Sequence, residues 1–183
     1  MRAGSRHRED GLLDELAATV GSRREARWIL EHVEDDPGLA GTAREAAARA
    51  MGERRAAGEP LQYVLGRWPF RSVELEVDRR VLVPRPETEQ VVEVALGLLS
   101  RWLADPRRPP GPALCCDLGT GSGAIACAIA AEAPIPPGGL VVWATDRSPE
   151  ALAVARSNRD RLRSGGSLRS AVLEIAEGDW YAA

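Results

Sequence analysis

From residue 113 onward, short apolar runs alternate with helical stripes, and Asp117-Leu118-Gly119-Thr120-Gly121-Ser122-Gly123 occupies the first junction between them. Residues 113–117 read as a strand and 122–132 as a helix. Residues 140–145 form a second strand. Ser148 caps the next helix, with Pro149 at its first position and Glu150 behind it, and 172–175 is the core of a third strand. Alternation of this kind predicts an α/β fold, a parallel sheet covered by helices. The 183 residues leave room for one medium domain or two small ones.

The segment before residue 59 has a different rhythm. Leu12, Leu13, Leu16, Ala17 and Val20 recur at helical spacing, and Gly21 ends that run. Ser22 caps a second helix whose stripe is Ala26, Ile29, Leu30 and Val33, broken by Asp35-Asp36-Pro37-Gly38. Thr42 and Glu45 have capping-box spacing and open a third helix that reaches Gly58. The first ten residues read as a polar tail containing His7. Beyond Gly58-Glu59-Pro60, residues 61–65 form a short helical turn. Residues 68–70, 73–77 and 81–83 look extended, with Asp78-Arg79-Arg80 as the turn, and Pro84 and Pro86 stop the ladder. Pro86 then starts a helix with Glu87 and Glu89 in its first turn and Val91, Val92, Val94, Ala95, Leu98 and Leu99 as its buried face. The expected organisation is a helical domain over 1–66, a β-hairpin linker over 67–83 and an α/β domain over 84–183.

Composition excludes several function classes. With 44% hydrophobic and 28% charged residues the chain is not a disordered one. A net charge of −3 gives no basic field for nucleic acid. The apolar run 124–131 is far short of a membrane span, and the amino terminus lacks the apolar core of a secretory signal. Cys115, Cys116 and Cys127 cannot all pair internally and read as reduced, buried thiols, so a cytoplasmic location is expected. No Cys/His cluster suggests a metal.

The glycine loop carries the chemistry. Alternating glycines between a strand and a helix suit a backbone that turns tightly while a ligand touches it. Gly119-x-Gly121-x-x-Ala124, with Asp146 downstream, loosely satisfies a dinucleotide fingerprint. S-adenosylmethionine is the competing ligand, and the residues favour it. Asp117 would repel a pyrophosphate but suits an amino group and a sulfonium. Gly123 stands one position earlier than the dinucleotide pattern asks. Asp146 ends the second strand, where a carboxylate can accept from both ribose hydroxyls. Asp179 can meet an adenine amino group and Trp180 can stack on the ring. The candidate cofactor-binding residues are therefore Asp117, Gly119, Thr120, Gly121, Ser122, Gly123, Asp146, Asp179 and Trp180.

With these residues in view, the chain resembles the peptide-chain release factor glutamine N5-methyltransferases, the PrmC/HemK family. Three segments carry the resemblance: Gly58-Glu59-Pro60-Leu61-Gln62-Tyr63-Val64-Leu65-Gly66, Arg80-Val81-Leu82-Val83-Pro84-Arg85-Pro86-Glu87-Thr88-Glu89, and the glycine loop. The resemblance implies a helical domain that helps recognise class I release factors and a Rossmann-like class I methyltransferase domain that binds S-adenosylmethionine. It also implies methylation of the amide nitrogen of the Gln in a release factor's Gly-Gly-Gln loop. The family's Asn-Pro-Pro-Tyr motif, which follows a fourth strand, occurs nowhere in the sequence. That motif orients an amide whose lone pair is delocalised, and positioning of this sort can supply ~7–11 kcal/mol of a barrier. No catalytic residue is therefore named, and the chain is expected to be a fragment, nearly inactive alone. The strand at 113–117 is expected to present an uncharged edge, so the C-terminal half is expected to be poorly soluble or partly molten by itself.

Overall fold

The computed structural model describes residues 2–168 and 171–180, and of residues 2–9 the backbone. The chain divides into two compact units, Met1–Gly66 and Arg67–Ala183.

The first unit is helical: α1 (Arg2–Val20), α2 (Arg23–Glu34), α3 (Gly41–Ala56) and the single-turn α4 (Leu61–Leu65). Its core is the expected stripes brought together, Leu12, Leu13 and Leu16 with Ala26, Ile29 and Val33, closed by Ala48 and Leu61. A Cβ on Gly52 would lie 2.9 Å from a Leu16 methyl, so glycine lets α3 come close to α1. Ser22 caps α2 as read, its hydroxyl accepting the Glu25 N–H at 3.3 Å. Two expectations are corrected. From Arg2 onward the backbone of the supposed tail, His7 included, is helical. Arg, Ala and Glu are good helix formers, and extending a helix that Leu12–Val20 has nucleated fixes one residue per added hydrogen bond. Thr42 is no cap. Gly41 takes a φ of 53°, the chain enters α3 from Ala40, and Thr42 already lies in the first turn.

The second unit opens with a hairpin, β1 (Arg67–Phe70) and β2 (Val73–Glu76), paired antiparallel with Phe70 opposite Val73. Its turn is Arg71-Ser72, not Asp78-Arg79-Arg80. Arg71 adopts a φ of 51°, the left-handed twist that a two-residue hairpin loop requires. Asp78 does turn the chain, accepting the Arg80 and Val81 N–H groups, but 81–83 is irregular backbone rather than a strand. Val81 and Val83 are buried and Leu82 is exposed, so the alternation reports burial in irregular backbone before the prolines.

Then follow α5 (Pro86–Ala104), β3 (Ala113–Leu118), α6 (Ala124–Glu132), β4 (Leu140–Asp146), α7 (Pro149–Ser164) and β5 (Val172–Glu177). The strands form a parallel sheet in the order β3-β4-β5, a Rossmann-like arrangement. Residues pointing one way (Ala113, Cys115 and Asp117 opposite Leu140, Val142 and Ala144, then Leu173 and Ile175) meet the apolar core that α6 supplies. Residues pointing the other way include Leu114, Cys116, Trp143 and Val172, all exposed, whereas Val141 and Leu118 on that face are half-buried and Thr145 is buried near the strand exits. Two expectations fail on this asymmetry. Cys116 is not buried, and of the face read on α5 only Val92 is fully covered, while Val91, Val94 and Leu98 are more than half exposed. Periodicity identifies an apolar stripe but cannot say how wide a partner it meets.

Candidate functional site

In a parallel sheet the strand ends at one edge converge, and the loops that follow them enclose the space available to a ligand. Here β3 leads into the glycine loop, β4 into Asp146-Arg147-Ser148, and β5 into Gly178-Asp179-Trp180. Main-chain bonds tie the three together. The Thr145 carbonyl accepts the N–H groups of Gly119 and Thr120 at 2.8 and 2.9 Å, and the Asp146 carbonyl accepts that of Gly178 at 3.1 Å.

The Asp146 carboxylate organises the same edge. Its Oδ2 accepts the Gly121 N–H at 2.9 Å and its Oδ1 accepts the Ser148 N–H at 3.0 Å. Each oxygen keeps a second lone pair, so the group can still accept from a diol. Ser148 in turn caps α7, accepting the Ala151 N–H at 3.2 Å.

Asp117 sits below the loop. It is 8% exposed, and its Oδ2 accepts the Thr120 hydroxyl at 2.6 Å and the Ala126 N–H at 3.2 Å. Burial pushes its carboxyl above the ordinary range, and the charge of Asp146 adds to the rise. Its visible work is to join the end of β3 to the first turn of α6. Gly123 caps α6 with a φ of 82°, and that left-handed backbone favours glycine there, since a Cβ would only reach ordinary contact with Ala155 and the Cys127 sulfur. Cys127 is buried beside it, and desolvation pushes its thiol up to about 12, so it is an inert packing group.

A cleft of about 170 Å³ lies between the three strand exits, walled by Leu118, Gly119, Asp146, Arg147, Gly178, Asp179 and Trp180. The structure thus brings Gly119, Asp146, Asp179 and Trp180 together on one wall. Thr120, Ser122 and Gly123 are buried, and with Asp117 and Gly121 they lie behind the cleft rather than on it. Leu118, Arg147 and Gly178 escaped the sequence reading. Their signal was position alone, directly beside a strand exit. Trp180 is 68% exposed with a φ of 55°, a conformation that costs a non-glycine residue roughly 1–2 kcal/mol. Among the described residues, no three His, Cys, Asp or Glu side chains could hold a metal ion, and no helix is long and apolar enough to cross a membrane.

No family model matches the sequence. Individual relatives do. The release factor glutamine methyltransferase of Burkholderia pseudomallei is 45% identical over 147 residues, 76% of this chain and 46% of its own length. The Bordetella pertussis protein of the same name is 40% identical over 184 residues, covering 94% of this chain and 60% of its own length. The Escherichia coli one is 33% identical over 180 residues, covering 93% and 58%. The chain belongs to the release factor glutamine methyltransferase family. It spans about half the length of the curated relatives it matches.

This release factor glutamine methyltransferase homologue has a second concavity, of about 580 Å³, beside α5 and the β3 edge. Leu98, Leu99, Trp102, Leu114, Cys116 and Ile129 are among the residues lining it. It presents no acid or base, so it offers burial rather than chemistry.

Proposed function

We propose that these residues bind S-adenosylmethionine at the strand exits, as part of an enzyme that methylates the glutamine side chain of a class I release factor. When bound, this cofactor supplies an electrophilic methyl group on a sulfonium. The observation that carries the reading is the convergence of Gly119, Asp146, Asp179 and Trp180 on one cleft. Gly119 has open space where a Cβ would stand, so its bare backbone can lie against a ligand. Asp146 offers two carboxylate oxygens toward ribose hydroxyls, and the Trp180 indole offers a stacking face. Asp179 is placed to accept from an exocyclic amine. The cleft is smaller than the ~300–1,000 Å³ of most small-molecule sites, so part of the cofactor would extend beyond it.

The role of Asp117 narrows in this reading. A carboxylate committed to Thr120 and Ala126 shapes the loop and contributes negative potential, rather than taking a cofactor proton donor directly. The reading takes a release factor as the protein substrate, which the name shared by the relatives supports, and assigns its docking to the helical unit. The Asn-Pro-Pro-Tyr sequence is absent from these 183 residues, so they hold the methyl donor without the group that would orient the amide.

Calorimetry tests the cofactor. S-adenosylmethionine is expected to bind and NAD is not. Trp180→Ala, at an exposed position, is expected to weaken binding roughly 5- to 150-fold, the range of ~1–3 kcal/mol for base–aromatic stacking. Binding of NAD in preference to S-adenosylmethionine overturns the reading. A radiolabelled methyl-transfer assay on a release factor is expected to show little or no turnover by the 183-residue chain, and brisk turnover would place the amide-orienting group within it.

A further inference from the structure

A buried carboxamide outside the cleft links two parts of the second unit. Asn158 lies on α7 and is fully buried. Its Oδ1 accepts the Glu76 N–H at 2.6 Å, and its Nδ2 donates to the Glu76 carbonyl at 3.0 Å. The side chain therefore pairs with both main-chain groups of one residue, as a neighbouring strand would, at the end of β2. The remaining Nδ2 hydrogen donates to the Ser122 carbonyl at 2.9 Å. Ser122 is 3% exposed and immediately precedes Gly123, the left-handed cap of α6.

Only a primary amide has the donors and acceptor for this arrangement. It must accept once from an N–H and donate twice to carbonyls in one plane. Aspartate would turn an oxygen toward two carbonyls, and an apolar residue would leave three buried backbone groups unsatisfied. Independent contacts fasten the same place. The Ser157 hydroxyl donates to the Glu76 carboxylate at 2.6 Å and Arg161 donates to the Glu74 carbonyl, while Ala155 lies close beside Gly123. Helix α7 thus touches the hairpin end and the glycine loop through neighbouring residues, and Asn158 bonds to both.

We propose that Asn158 is a positioning residue. It fixes the Ser122 peptide and hence the pitch of the glycine loop, and it makes that loop move with the end of β2. Part of this inference, the consequence for affinity, rests on the cofactor reading above. The mechanical part does not.

The experiment therefore has two readouts on the full 183-residue chain. Hydrogen exchange without ligand reports the coupling. In Asn158→Asp and Asn158→Ala, exchange is expected to accelerate together at Glu76 and at 123–127, while the amides of β4 and of the helical unit keep their rates. Ser157→Ala is expected to accelerate Glu76 alone. Calorimetry with S-adenosylmethionine reports the consequence. Asn158→Asp is expected to weaken binding at least tenfold and Ser157→Ala less than twofold. Leu162→Ala, a buried α7 substitution that makes none of these bonds, controls for lost stability.

Unchanged exchange at 123–127 in both Asn158 variants overturns the proposal. So does acceleration spread evenly through the unit, or a Leu162→Ala loss of affinity equal to that of Asn158→Asp. If the parent chain binds no S-adenosylmethionine, the cofactor reading fails, and the exchange pattern alone decides the positioning role.

Discussion

The two faces of the three-stranded sheet have similar composition and opposite circumstances. Ala113, Val142, Ala144 and Leu173 on one side are at most 1% exposed beneath helices. Leu114, Trp143 and Val172 on the other side are 68%, 43% and 43% exposed. An apolar side chain stabilises a fold only through the surface it removes from water, about 25 cal/mol per Å². The difference between the faces is therefore one of partners. Local sequence sets the strands, and the helices decide which half of each strand contributes to stability.

The largest test of that contrast is a matched pair of truncations. Leu173→Ala on the covered face is expected to cost about 2–5 kcal/mol in urea unfolding of the second unit. Leu114→Ala on the other face is expected to change it by no more than about 0.5 kcal/mol. Equal losses would mean that both faces are packed in solution.

The covered face has its own fastening. Arg71, at the hairpin turn, reaches Glu132 of α6 at 2.7 Å and Glu93 of α5 at 2.8 Å, and donates to the Glu89 carbonyl at 3.1 Å. Arg71 and Glu132 are each less than one-fifth exposed, so this is a partly buried, charge-assisted cluster rather than a surface ion pair. Arg71→Ala is expected to destabilise the unit by about 1.5–3 kcal/mol. Arg71→Lys, which keeps the charge but loses the planar fork, is expected to recover part of that loss. Full recovery by lysine would make charge, not geometry, the operative feature.

How much of this was legible beforehand depended on whether a signal is local. The glycine loop, the Ser148 cap with Pro149, and the order of strands and helices from 113 onward are local patterns, and the fold class followed from them. The hairpin turn was misplaced because Arg71-Ser72 carries no glycine or asparagine. Its left-handed residue is held by Glu89, Glu93 and Glu132, which are distant in sequence. Asp78-Arg79-Arg80 has turn-like chemistry and does turn the chain, but into irregular backbone rather than a second strand. That Asp146, Asp179 and Trp180 lie at the strand exits around one cleft was legible because strand exits are predictable positions. That Asp117 faces Thr120 and Ala126, and that Asn158 bonds to Ser122, depends on the docking of α6 and α7, which no window of sequence displays.

The same cluster can be read through pH. Hydrogen bonding from Arg71 holds the Glu132 carboxyl below its ordinary 4.5. A carboxyl with a lowered folded value contributes stability that is present above the ordinary value and is lost as pH falls through the folded one. Asp117 has the opposite sign. Its raised carboxyl favours the folded state at low pH, and that contribution fades as pH rises through its elevated value. The informative quantity is the difference between parent and Glu132→Gln. The variant is expected to be less stable at neutral pH and to converge on the parent only as pH falls past the ordinary carboxyl value and through the lowered folded one, followed by chemical denaturation at each pH. A constant gap across that range would assign the loss to packing rather than to the ion pair.

The smallest effect on stability belongs to the exposed face, and it separates stability from solubility. Leu114, Trp143 and Val172 expose apolar side chains on one face of β3, β4 and β5 respectively, and the only described strand partner of β3 is β4. Surfaces of this kind drive association, and an uncharged edge strand offers unpaired N–H and C=O groups to a second chain. Replacing Leu114 and Trp143 together by glutamine removes apolar area that folding never buried. The unfolding free energy is expected to stay within about 0.5 kcal/mol of the parent, while the concentration at which the chain associates, measured by light scattering, rises. Hydrogen exchange on the resulting monomer then addresses the sheet itself. Strong protection across 113–176 would show that one covered face suffices to order it. Weak protection there, with strong protection in α1–α3, would show that the exposed face needs a cover before the strands become rigid.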